Sequence, residues 1–509
     1  MAFEDVKSPL PPRRVLTDDS ATSAPPMPAP SVPTPAASQS TSGQANPKVS
    51  TPIVQPKKPV NLKPVLIVLG ILVAVVVVGM LVKKILTNFT GKTDTNITLN
   101  YWGLWEDSPV MEGVIADYQA KNPGVKIAYT RNQKNDYRSR LQGRLEKTGT
   151  ETDVPDIFRI HSSWIPMFTS NLAAVPTVTA NAIGLDTDYY NVFKNDLKIS
   201  GQYWAIPMMY DGLVMFYNKD ILDGAPSISI PKSWWDLEMA ASKLTVRDPD
   251  TGVIKVAGAA MGLTDNVDNW SDILGLMLKQ SGVDILASDP TNTKKLQDVL
   301  TYYTLFATKD KVWDASFPNS TEAFAKGKVA FYLGQSWRVF NIEDMKVPGL
   351  HYEVTTAPQL PTLVDAPAGS DTNLTNIHWS TYWVEGVNVK SKKQAEAWKF
   401  LEYLSTKEVL AKLYTTQSQI RAFGEIYPRK SMATQLNDNP KLKAFTVSAD
   451  NASGWYLSSK TWDDGLNDNM IKYFGDAING MLYKSQQVDQ VMPDLRSGIN
   501  QLKQRYNLK

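Results

Sequence analysis

The chain has no cysteine and only three histidines, His161, His351 and His378, in 509 residues. Without thiols it can build no disulfide, thiolate zinc site, iron–sulfur cluster or cysteine nucleophile, and no lipidated cysteine can tether it. The histidines are not spaced at i, i+4, so a helical histidine metal site is not expected either. Neither cofactor nor metal is expected. Catalytic signatures are equally scarce. There is no GxSxG elbow, P-loop, GxGxxG or HExxH, and Gly334-Gln-Ser-Trp-Arg338 lacks the second glycine of a nucleophile elbow. The acidic pairs Glu106-Asp107, Asp153 with Asp156, and Asp463-Asp464 are the residue types of glycoside hydrolysis, but neighbouring acids are mostly solvated loop residues. The chain is therefore not expected to be an enzyme, with a surface glycosidase as the lesser alternative.

What is present is unevenly distributed. Residues 1–64 hold 14 of the 32 prolines and a single aromatic, Phe3, whereas all 14 tryptophans lie between Trp102 and Trp462. Residues 1–86 carry nine Lys/Arg and four Asp/Glu, which leaves 44 and 47 for residues 87–509. The larger part is thus slightly acidic, and nucleic acid, which demands a concentrated cationic surface, is not expected as a partner. The Pro/Ser/Thr-rich stretch offers too little apolar surface to offset its ordering entropy, so residues 1–63 are expected to be a disordered tail. Val65–Val82 is an unbroken run of 18 apolar or glycine residues. At 1.5 Å per residue it reaches about 27 Å, near the thickness of a bilayer's hydrocarbon core. One transmembrane helix over 64–86 follows, then a short stalk over 87–96. Lysines flank the run on both sides and favour a cytoplasmic N-terminus only slightly.

From Ile97 the pattern alternates between strand and helix. Ile97–Trp102 has period two, Val110 to Tyr118 recur at helical spacing until Asn122-Pro123-Gly124, and Val125–Tyr129 forms the next strand. A charged helix over Asp136–Glu146 precedes a strand over Asp156–Ile160. Later come a helix start at Ser233-Trp-Trp-Asp236, strands near Val256–Met261 and Val329–Leu333, and a helical C-terminal third. This order predicts a mainly parallel α/β architecture in two lobes. Trp102 and Trp105 follow the first strand, His161 and Trp164 the third, Trp337 the Val329–Leu333 strand, and Trp383 another β-like stretch. Ligands of open α/β sheets bind outside the carboxyl ends of strands. Aromatic faces beside polar groups at those ends suit a sugar, whose C–H surface stacks while its hydroxyls hydrogen-bond.

Several phrases, soft singly but in a fixed order over about 410 residues, carry a resemblance. They are ITLNYWGLWED, VMEGVIADYQAKNPGVKI, PDIFRIHSSWIPMF, GQYWAIPMMYDGLVMFYNKDIL, KSWWDLEMAASKLT, EAFAKGKVAFYLGQSW and AEAWKFLEYLSTKEVLAKLY. Residues 97–509 resemble the extracellular solute-binding proteins of ABC importers, of the sugar-binding, maltose-binding-like type. The resemblance implies a two-lobed fold with a hinge and an interlobe cleft, with lobe 1 over about 97–208 and 358–412 and lobe 2 over about 212–356 and 415–509. It implies cleft positions at Trp105, Glu106 and Asp107 after the first strand, and at His161 and Trp164 after the third. Asp211 matches the family's polar residue before the YNKD phrase, Trp337 its stacking platform with Arg338 beside it, and Trp383 and Glu385 the return to the first lobe. Together with Trp102 these are the candidate ligand contacts. The expected function is a membrane-anchored receptor, held through Val65–Val82 with residues 87–509 outside the cell, that captures a carbohydrate by hinge closure for an ABC permease. A sensing or adhesion receptor on the same fold is the alternative. Members of the family are commonly secreted or lipid-tethered, and the apolar run at Val65–Val82 departs from that pattern.

Overall fold

A computed structural model of the chain describes residues 97–147, 153–361, 373–454 and 456–508. The tail, the apolar run Val65–Val82 and the stalk lie outside the described residues. Among the described residues no helix is long and apolar enough to cross a membrane.

Ten strands make two five-stranded sheets. In chain order they are β1 (Ile97–Gly103), β2 (Val125–Arg131), β3 (Ile157–His161), β4 (Ile206–Pro207), β5 (Val214–Asn218), β6 (Val246–Arg247), β7 (Ile254–Ala259), β8 (Val329–Gly334), β9 (Tyr352–Thr356) and β10 (Trp383–Val387). The first sheet runs β2-β1-β3-β10-β4 and the second β9-β5-β8-β7-β6. Each sheet is the centre of one lobe of a two-lobed α/β fold. The chain leaves the first sheet at β4 and enters the second at β5. It returns for β10, so the peptide between Pro207 and Val214 is a crossover.

The first βαβαβ segment folds as its periodicity predicts. β1 pairs in parallel with β2 and β3. The intervening helix Ser108–Lys121 buries Val110, Met111, Val114, Ile115 and Tyr118, the residues at helical spacing, and ends at Asn122. The strand β3 is buried at every position, as a strand covered on both faces must be. Ser233 and Asp236 form a full capping box at the start of helix Trp234–Leu244. The sheets are less parallel than the pattern predicts. β10 runs antiparallel to β3 and β4, and β5 antiparallel to β8 and β9. These two exceptions adjoin a crossover between lobes, where the chain enters a sheet with no helix of that sheet to reverse it, and a third, β6 antiparallel to β7, is a local hairpin at the sheet edge.

Gly212 sits in the first crossover. A Cβ there would lie 2.6 Å from the backbone oxygen of Trp379, on the returning crossover, so the two strands touch too closely for any side chain. Gly212→Ala is expected to lower stability by about 1–3 kcal/mol, as overpacking against rigid backbone does. Urea unfolding measures this, and an unchanged midpoint would show that the crossovers can part freely.

Candidate functional site

Facing ends of the two sheets enclose a cavity of about 600 Å³. The first lobe contributes Trp105, Lys134, His161, Thr381 and Trp383, and the crossover adds Met209 and Asp211. Asp268, Ser336, Trp337, Arg338, Phe340 and Asn341 line the opposite side, and Arg421, Phe423, Glu425, Ser459, Lys460 and Trp462 arrive from the C-terminal third. The register explains the convergence on the first lobe: Trp383, the first residue of β10, lies opposite His161, the last of β3.

Aromatic rings meet one another there. Trp105 is edge-on to Trp383 at 5.4 Å and lies 5.7 Å from Trp462. His161 is edge-on to Trp383 at 5.2 Å. Its Nδ1 pairs with Ser163 Oγ at 2.8 Å and its Nε2 with Thr381 Oγ1 at 2.9 Å. Burial lowers its pKa to about 3, so the ring is neutral and serves as a fixed polar wall. On the other side the Arg338 guanidinium lies 4.1 Å over the Trp337 ring. It also donates from Nη2 to Asn269 Oδ1 at 3.1 Å and pairs with Asp268 at 3.5 Å.

Asp211 joins the lobes. Its Oδ1 accepts from the backbone N–H of Gly212 at 2.7 Å and of Ser336 at 3.0 Å, and its Oδ2 accepts from Ser336 Oγ at 2.9 Å. Burial outweighs these three donors and raises its carboxyl to about 7.

Of the eleven sequence-predicted contacts the cavity gathers Trp105, His161, Asp211, Trp337, Arg338 and Trp383. The other five stand elsewhere. Glu106 and Glu385 are buried against Arg159 in the first lobe, outside the cavity lining, with Nη1 2.5 Å from Glu106 Oε1 and Nε 2.6 Å from Glu385 Oε1. Their charge is taken up within the first lobe. Asp107 pairs with Arg131 on the surface, at the start of helix Ser108–Lys121. Trp164 is core, stacked on Phe168 and edge-on to the outer face of the site at Trp383. Trp102 packs by Tyr137 and under Arg140. It lies within β1, three residues before Trp105 in the loop that follows the strand.

Comparison with known proteins places this architecture. A family model described as bacterial extracellular solute-binding protein matches residues 113–444. The chain belongs to that family. Its members are solute-binding proteins and not enzymes, which also removes the hydrolytic reading of the acidic pairs. This solute-binding protein is 25% identical over 258 residues to the diacetylchitobiose binding protein of Streptomyces coelicolor, covering 47% of this chain and 55% of that one. It is 24% identical over 260 residues to the maltodextrin-binding protein of Bacillus subtilis, covering 48% and 55%. The chain thus spans about half the length of these two relatives. Among solved structures, a cyclo/maltodextrin-binding protein complexed with maltotetraose superposes with a TM-score of 0.63 at 13% identity, over 81% of this chain and 99% of that chain. The sugar-binding protein MalE of Xanthomonas citri gives 0.62 at 17%, over 81% and 100%.

The C-terminal lining residues of the solute-binding protein carry no legible signal in the sequence. Arg421, Phe423, Glu425, Ser459, Lys460 and Trp462 lie in loops without periodicity. The tryptophan beside the acidic pair Asp463-Asp464 is the one feature of the sequence that could have marked any of them. Lys460, Trp462 and Asp464 all have positive φ, at 60°, 50° and 42°. Such left-handed backbone disfavours ordinary side chains, and it marks the turn that presents Lys460 and Trp462 to the cavity.

Proposed function

We propose that this protein is a membrane-anchored extracellular receptor that captures a carbohydrate between its lobes and delivers it to the permease of an ABC importer. The observation that carries the reading is the meeting of four tryptophans, Trp105, Trp337, Trp383 and Trp462, with polar groups of both lobes on one cavity of about 600 Å³. Flat apolar rings interleaved with hydrogen-bonding groups match the two faces of a sugar. The sugar names borne by similar proteins favour the same class. Lobe 1 is taken as 97–208 with 358–412 and lobe 2 as 212–356 with 415–509, so a bound sugar touches both. Closure then follows from its higher affinity for the closed state. The apolar run Val65–Val82 is the proposed anchor, with residues 1–63 as a cytoplasmic tail and 87–96 as a stalk. Such a tether raises the effective concentration of the receptor near a membrane partner.

The test is a tryptophan-fluorescence titration of the full chain in detergent with short oligosaccharides. A saturable change is expected, and Trp337→Ala is expected to weaken it by at least about tenfold, or 1.4 kcal/mol. Unchanged binding by Trp337→Ala would remove that ring from the site.

A further inference from the structure

Four cations line the cavity: Lys134, Arg338, Arg421 and Lys460. In the sequence they are scattered over more than 300 positions, and only the fold brings them together. Three carboxylates share the cavity with them: Asp211, Asp268 and Glu425. Two of these are engaged. Arg421 pairs with Glu425 at 2.7 Å and Arg338 with Asp268 at 3.5 Å. Asp211 accepts its three hydrogen bonds from Gly212 and Ser336. With its carboxyl at about 7, it supplies only part of a charge at neutral pH.

Lys134 and Lys460 therefore have no carboxylate within ion-pair distance among the described residues. The Lys134 ammonium lies 4.4 Å over the Trp462 ring, and Lys460 is two residues from that ring. Lys460 also acts on Asp268. Burial pushes the Asp268 carboxyl up, yet Arg338, Thr321 and Lys460 hold it below its usual range. A second observation points the same way. Arg338 is 5% exposed, and its Nε is buried without a hydrogen-bond partner. Both lysines are exposed to solvent, which supports their charge in the free protein and leaves it available to an anionic ligand. The excess is local, because residues 87–509 carry 44 Lys/Arg against 47 Asp/Glu.

We propose that the solute is an acidic oligosaccharide, a short sugar chain bearing a carboxylate or sulfate, whose anionic group lies at the end of the cavity bordered by Lys134, Lys460, Arg338 and Trp462. The proposal rests on the carbohydrate reading above and specifies its charge. The aromatic rings bind the sugar faces and the unpaired cations select the acidic form. A cavity of this volume suits a ligand of two or three sugar rings.

The experiment is thermal melting of the full chain in detergent at low salt, with uronate and sulfated di- and trisaccharides beside their neutral counterparts. Acidic sugars are expected to bind at least about tenfold more tightly than the neutral ones, and the advantage is expected to shrink as salt rises. Lys134→Gln with Lys460→Gln is expected to remove the advantage while leaving the melting temperature of the free protein unchanged. Equal or tighter binding of the neutral sugars would overturn this proposal and leave the carbohydrate reading standing. A shift with inorganic sulfate as large as with sulfated sugars would also overturn it, as would an unaltered preference in the double variant. No shift with either set of sugars would overturn the carbohydrate reading itself.

Discussion

Arg159→Met is expected to destabilise the protein by about 3–5 kcal/mol, the cost of removing one partner from a buried ion-pair network. Arg159 projects from β3 between Glu106, in the loop after β1, and Glu385, which lies opposite it in the β3–β10 register. All three are almost fully buried. Burial works against the guanidinium's charge, but the two carboxylates together more than offset it, so Arg159 is held charged well above its ordinary value. Without it two acids face each other in the core, and at least one must take up a proton. The deficit of Arg159→Met is therefore expected to be smaller at pH 5 than at pH 8. Guanidinium unfolding at both values tests this. Changing all three residues together to Met, Gln and Gln is expected to restore most of the loss, because no unpaired charge remains. Full stability of the single variant at pH 8 would show that the network contributes no more than an apolar filler.

Asp211 is expected to give the protein a second acid-favoured contribution. Its folded-state carboxyl sits at about 7, above the ordinary 3.8. The folded state therefore binds the proton more tightly than the unfolded one. The resulting stability is complete below about pH 4 and is lost as pH rises through 7. A shift of this size corresponds to roughly 4 kcal/mol. Half-buried Asp196 and buried Asp272, both raised to about 6, act in the same direction over a lower window. His161 and His378 oppose them, since burial lowers their pKa values to about 3 and 4 and unfolding lets them take up protons below about 6.5. The variant isolates one group from this sum. The amide of Asp211→Asn imitates the neutral acid, accepting from Gly212 and Ser336 and donating to Ser336 Oγ. Relative to the parent, Asp211→Asn is expected to gain stability between pH 5 and pH 8, as read from urea midpoints at each pH. A constant difference over that range would mean that Asp211 does not change its protonation between pH 5 and pH 8.

Much of this arrangement is legible in the sequence, for a definite reason. The strands and helices of the first βαβαβ segment announce themselves because each buries one face of fixed period, as helix Ser108–Lys121 does with five residues. The cleft aromatics that follow such strands, Trp105 and Trp337, are legible with them. Short strands such as β4 and β6 are two residues long and carry no period. The setting of the two glutamates is hidden for a different reason. Glu106 and Glu385 are 53 and 226 residues from Arg159, and nothing local reveals that they face a buried guanidinium and not a ligand. The cationic side of the cavity is hidden in the same way. Lys134, Arg338, Arg421 and Lys460 become neighbours only when the C-terminal third folds back on the cleft.

The most direct test of carbohydrate capture without chemistry is the melting temperature of the full chain in detergent against a panel of oligosaccharides, with each sugar recovered and analysed afterwards. A ligand present at ~100 times its dissociation constant adds about 2.7 kcal/mol to stability, which is easily seen as a raised melting temperature. The expected result is a rise with one class of sugar, recovered chemically unchanged. No rise with any sugar up to millimolar concentration, or recovery of a hydrolysed sugar, would contradict the account.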